Sequence, residues 1–121
     1  MIKIPKTEYQ VMKFIWSKKS SKVSSKEIGD YMLEKNNWIK PTTAKVLSRL
    51  VEKNFLQGEK EGRNITYTVV VEENEYVKFE TEEFFDFVHN KSLTSIVSTL
   101  GEGDSISDED IKELEEWIKN R

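Results

Sequence analysis

The stretch Pro41-Thr42-Thr43-Ala44-Lys45-Val46-Leu47-Ser48-Arg49-Leu50-Val51-Glu52-Lys53-Asn54, running into Phe55-Leu56-Gln57-Gly58-Glu59-Lys60-Glu61-Gly62-Arg63-Asn64-Ile65-Thr66-Tyr67-Thr68-Val69-Val70, decides the fold. Its first part is a helix. Thr43, Val46, Leu47, Leu50 and Val51 recur at helical spacing as an inward stripe, and Thr42, Lys45, Ser48, Arg49 and Glu52 fall on the other faces. Pro41 suits a first helical turn, where its missing N–H is not needed. Asn54 stands where a helix end wants a left-handed residue. The second part is a β-hairpin: two strand-like segments, 55–60 and 65–70, flank Gly62 and Asn64, which supply turn chemistry.

Upstream lie two more helices. Thr7-Glu8-Tyr9-Gln10 reads as a capping box, with Val11, Met12, Ile15 and Trp16 following as pairs one turn apart. Residues 17–22 read as a polar connection. Ser24-Ser25-Lys26-Glu27 is a second capping box, followed by Ile28 and Met32 on one face with Tyr31 beside them. Helix, helix, helix, hairpin is the order of a winged helix-turn-helix, with the third helix placed for a DNA major groove and the hairpin as wing. On that reading Thr42, Lys45, Ser48, Arg49, Lys53, Lys60 and Arg63 form the DNA-facing set. Hydroxyls and lysines reach phosphates or base edges, and a wing-tip arginine reaches a phosphate or the adjacent minor groove.

Charge supports this division. Residues 1–71 carry 14 Lys/Arg against 7 Asp/Glu, a net +7, whereas residues 72–121 carry 5 against 15, a net −10. A basic half suggests a polyanionic partner. The acidic half opposes indiscriminate coating of DNA.

Downstream of Val71 the pattern is helical throughout: 75–89, 92–100, and a last helix capped by Ser107-Asp108-Glu109-Asp110. Phe84, Phe85, Val88, Leu93, Ile96, Val97, Leu100, Ile111, Leu114, Trp117 and Ile118 leave these short helices with more apolar surface than some 50 residues can bury alone. Pairing with a second copy covers it economically, because many DNA readers are two-fold dimers. The aromatic run Phe79, Phe84, Phe85, Phe87 reads as core or interface rather than as a ligand pocket.

Composition narrows the chemistry. There is no cysteine, hence no disulfide, thiolate metal site or cysteine nucleophile. His89 is the single histidine and is expected on a helix surface, so no catalytic triad is expected. Asp104–Glu115 superficially resembles a calcium loop, but Ile106 and Glu109 occupy its third and sixth positions and break the spacing. No enzyme activity, metal or cofactor is expected. No apolar run approaches ~20 residues and no signal segment opens the chain, so a cytoplasmic protein without membrane contact is expected.

Several of these residues resemble one family. Glu8-Tyr9-Gln10-Val11-Met12 with Ile15-Trp16, Leu47-Ser48-Arg49-Leu50-Val51-Glu52-Lys53, Phe55-Leu56, and Glu61-Gly62-Arg63-Asn64-Ile65-Thr66-Tyr67 are similar to the pattern of the penicillinase-repressor (BlaI/MecI/CopY) family. The likeness implies a homodimeric repressor on a pseudo-palindromic operator, with a winged helix at 1–71 and dimerisation helices at 72–121. Asn54 stands where the family commonly has glycine. The absence of cysteine excludes copper sensing of the kind its copper-responsive members use. Members released by a sensor protease are cut at an Asn-Phe bond, and the nearest position here reads Thr99-Leu100. The fold expected is mainly α with a small β-hairpin, an N-terminal winged helix-turn-helix followed by C-terminal dimerisation helices. The competing expectation is a winged helix that binds protein without reading DNA. The cations Lys45, Arg49 and Lys53 on the third helix favour DNA.

Overall fold

A computed structural model describes residues 1–121. The elements are α1 (Lys6–Ser17), β1 (Lys22–Ser24), α2 (Ser25–Asn36), α3 (Lys40–Glu52), β2 (Leu56–Glu61), β3 (Asn64–Val69), α4 (Glu73–Phe87), α5 (Leu93–Glu102) and α6 (Asp108–Lys119). They fall into two units, Met1–Phe79 and Glu80–Arg121.

In the first unit the helical spacings bury most of what they predict, with Val51 of the α3 stripe only half-buried at its edge. Val11, Met12, Ile15 and Trp16 of α1, Ile28 and Met32 of α2, and Val46, Leu47 and Leu50 of α3 share one core with Phe55, Leu56 and Tyr67 of the sheet region. Local chemistry sets most of the ends. Ser24 caps α2, its Oγ accepting from the Glu27 N–H at 3.2 Å. α3 has Pro41 in its first turn. It ends in a Schellman pair: Asn54 is left-handed (φ 62°), the Phe55 N–H donates to the Leu50 carbonyl at 2.9 Å, and the Asn54 N–H to the Val51 carbonyl at 3.0 Å. α1 departs from expectation. It starts at Lys6 with Pro5 in the cap position, so Thr7 lies inside the helix and caps nothing. The Tyr9 N–H already donates to the Pro5 carbonyl at 2.9 Å, which sets the helical frame before Thr7.

The sheet has three antiparallel strands in the order β1-β3-β2, one more than the hairpin expected. The extra strand is β1, in a segment read as a connection. Its register sets Val23 opposite Tyr67. β2 and β3 pair from Leu56↔Val69 to Glu61↔Asn64.

The boundary expected after Val71 falls inside the first unit. Tyr76 on α4 is fully buried among Tyr9, Trp16, Phe55 and Phe79, and its hydroxyl accepts from the Ile4 N–H at 3.0 Å. The Trp16 indole donates to the Val71 carbonyl at 3.0 Å and fixes the exit from β3. One buried side chain in this core is unsatisfied: the Thr43 hydroxyl has no hydrogen-bond partner. Thr43→Val keeps the volume and removes that orphan, so a gain of about 1 kcal/mol in denaturant unfolding is expected.

The second unit is built differently. No residue of α5 or α6 is buried. The Ser107 cap expected from the sequence is there, Ser107 and Asp110 forming a reciprocal capping box, and Ser92 also caps α5, accepting from the Ser95 N–H at 3.0 Å. In that box the Ser107 N–H, 2.8 Å from Asp110, and then the Ser107 hydroxyl hold the Asp110 carboxyl below its ordinary 3.8. A depressed folded value means that the contribution is present above pH 3.8 and fades as pH falls below it. Hydrogen-exchange protection of the first turn of α6 should drop over that interval. His89, expected on a helix surface, is buried instead. It follows the end of α4, its Nδ1 lies 2.8 Å from Ser95 Oγ, and Phe84 meets its ring edge-on at 4.7 Å. No helix is long and apolar enough to cross a membrane.

Candidate nucleic-acid interface

The inward stripe of α3 leaves its remaining faces free. Thr42, Ala44, Lys45, Ser48 and Arg49 are all exposed, on the helix whose other side is locked into the core by Thr43, Val46, Leu47 and Leu50. A helix held this firmly presents its outer side chains on a rigid support. Arg49, in the last turn, also complements the negative end of the helix dipole.

The hairpin stands beside it. Gly62, the first of two loop residues, has φ +65°, the backbone state that tight hairpins demand and glycine provides without strain. Lys60 and Arg63 are exposed at this tip. The wing is tied to the helix-turn-helix by the Ile65 N–H, which donates to Ser25 Oγ at 3.0 Å. Tyr67 is buried at the base of the wing, and that burial pushes its phenol above the ordinary value of 10.0. It titrates far from neutrality and contributes no charge.

Between α2, α3 and the wing lies a cleft of about 570 Å³. Lys26 of α2, Lys40 of α3 and Arg63 of the wing all line it, so three elements each bring one cation to one place. Lys26 is engaged at the surface with Asp30, 3.0 Å away. The sequence reading missed Lys26 and Lys40. The signal was the +7 of the first 71 residues, which does not say which lysines converge.

The structure places the expected DNA-facing residues in two groups. Thr42, Lys45, Ser48, Arg49, Lys60 and Arg63 are exposed on α3 and the wing. Lys53 is not with them. It is half-buried, and its ammonium pairs with the carboxylate of Glu8 on α1, itself buried. Burying Glu8 without a counter-charge would be costly, so Lys53 serves the core and is withdrawn from the DNA-facing set.

In the second unit Phe84, Val88, Leu93, Leu100, Ile111, Leu114, Trp117 and Ile118 are exposed, and Phe85, Ile96 and Val97 are half-buried. Phe87, outside the expected interface set, is the most exposed of the large apolar side chains at 80%. Thr99 and Leu100 lie within α5.

Three helices, a three-stranded sheet whose last two strands form a projecting hairpin, and an exposed basic third helix define a winged helix-turn-helix. The chain belongs to the penicillinase repressor family, whose model matches residues 4–120. It is 34% identical to the penicillinase repressor of Bacillus licheniformis, across 100% of this chain and 98% of that protein. It is 27% identical to the methicillin resistance regulatory protein MecI of Staphylococcus aureus, across 98% and 94% of the two chains. Among solved structures, the DNA-binding domain of the repressor BlaI matches with 35% identity and a TM-score of 0.53, over 63% of this chain and 94% of that one. The monomeric form of Bacillus licheniformis BlaI, solved in complex with the blaP half-operator, matches with 32% identity and a TM-score of 0.52, over 62% and 89%. The expected fold class and family are thus the ones found, with one strand added.

Proposed function

We propose that this repressor acts as a homodimer on a pseudo-palindromic operator. Each protomer sets α3 into the major groove and its wing on the backbone or minor groove. The observation that carries the reading is the convergence of Lys26, Lys40 and Arg63 on one cleft beside the exposed Thr42, Lys45, Ser48 and Arg49. Cations from three elements suit a curved polyanion rather than a single small anion. Phosphate contacts give affinity and register, and the outer side chains of α3 discriminate bases. Binding a promoter in this way excludes polymerase and places the protein's work in the cytoplasm.

Pairing through the second unit is supported by helices α5 and α6, which have no fully buried residue in the isolated chain yet carry the exposed Leu100, Ile111, Leu114, Trp117 and Ile118. Release by a sensor protease acting near Thr99-Leu100 would require α5 to unwind locally, because that bond is helical.

The test is Ile111→Glu combined with Ile118→Glu. Both side chains are exposed, so the protomer keeps its fold. Sedimentation should change from dimer to monomer. Affinity for a palindromic duplex should fall by about a hundredfold or more while half-site affinity holds, because the linkage between two binding events is lost. A variant that stays dimeric, or binds the palindrome as before, contradicts the dimer.

A further inference from the structure

The amino-terminal end of α3 has an unusual surface for a helix that meets DNA. Of its first exposed side chains, Ile39 at the cap position, Pro41 and Ala44 carry no hydrogen-bonding group. Ile39 is 62% exposed and makes no side-chain cap bond. The position is a true cap: the Thr42 N–H donates to the Ile39 carbonyl at 3.0 Å and the Thr43 N–H at 3.3 Å. Serine, threonine, asparagine and aspartate are strongly favoured there over isoleucine. Serine occupies the same position in α2, α5 and α6. Ile39 therefore forgoes a capping bond and leaves most of its side chain in solvent beside the proposed DNA-facing surface.

A helix-turn-helix reads bases chiefly through the first residues of its recognition helix. In the major groove the one apolar feature of any base pair is the C5-methyl group of thymine. We infer that this end of α3 selects thymine by apolar contact, with Ile39 the reader. Lys40 lines the adjoining cleft and Thr42 is exposed next to it, so the backbone contact that holds the register lies within a residue or two of the reader. The inference rests on the operator-binding reading above and specifies one of the bases read.

The experiment uses the full chain and the duplex it selects from a randomised pool. Each thymine is replaced singly by deoxyuridine, which removes only the methyl group. One thymine per half-site should weaken wild-type binding about fourfold, the worth of one buried methyl group, and replacement in both half-sites about sixteenfold. In Ile39→Ser the thymine and deoxyuridine duplexes should bind alike, whereas Ile39→Val should keep most of the difference. Ile39→Ser should also raise the melting temperature, because serine supplies the missing cap. A loss of discrimination together with a gain in stability separates reading from folding. The inference is overturned if no deoxyuridine substitution is felt, or if the penalty is undiminished in Ile39→Ser. Failure to select any duplex would overturn the operator-binding reading itself, so the two failures are distinguishable.

Discussion

Lys45→Glu is expected to lower operator affinity by at least about a hundredfold, and Arg63→Glu to do the same, with circular dichroism and melting unchanged. Lys45 is exposed on the outer side of α3 and Arg63 at the wing tip. Neither belongs to the buried cluster, so the fold tolerates the change. On the proposed reading each reversal would replace an attraction to phosphate or a base edge by a repulsion, and a dimer would carry it twice. About 1.4 kcal/mol per protomer, at the low end for a specific contact, already compounds to a hundredfold. The two variants should differ in kind. Lys45→Glu alters which bases are preferred, whereas Arg63→Glu weakens all sequences nearly uniformly and flattens the salt dependence. Fluorescence anisotropy on matched and mismatched duplexes separates these effects. Unchanged affinity in both variants would leave the protein-binding winged helix as the better account.

The largest effect on stability is expected at Lys53→Met, a loss of about 3 kcal/mol or more in denaturant unfolding. The Glu8 side chain is 2% exposed and Lys53 is its ion-pair partner. Removing the ammonium strands a buried carboxylate, which is worse than having no pair at all. Adding Glu8→Leu should therefore recover most of the loss, a non-additivity that marks a true pair. Where Lys53→Met remains folded, its operator affinity and salt slope should match the wild type, since the Lys53 ammonium is committed to Glu8 on α1. Equal stability of Lys53→Met and wild type would refute the pairing; a lowered salt slope would return Lys53 to the interface.

These two lysines show what a sequence can and cannot tell. Lys45 lies on α3 and Lys53 at its C-cap, eight residues on, and the sequence pattern alone reads both as cations of the third helix. Lys53 finds its partner 45 residues away, on a helix whose orientation only the folded core defines. The features that were legible are those decided within a few residues. The stripe of α3, its Asn54 stop, the Ser24 and Ser107 caps and the Gly62 turn each follow from chemistry inside one helical turn or one hairpin. β1 was not legible: a three-residue strand has no period to detect, and Val23 becomes strand by pairing with Tyr67 far along the chain. Thr7 matched a capping pattern but lost the position to Pro5, whose fixed backbone starts the helix earlier. Tyr76 had the same helical spacing as its neighbours, and only the assembled core shows that it belongs to the first unit. His89 likewise depends on Ser95 and Phe84 closing around it.

The measurement that bears most directly on the whole account is selection of duplexes from a randomised pool, followed by anisotropy on the winner at several salt concentrations. The expected result is a two-fold symmetric motif and a plot of log K against log salt with a slope of about −5 or steeper, as three phosphate contacts per protomer would give. Binding without enrichment, or with a shallow slope, would mean that the basic surface of α3 and the wing is not an operator-reading surface.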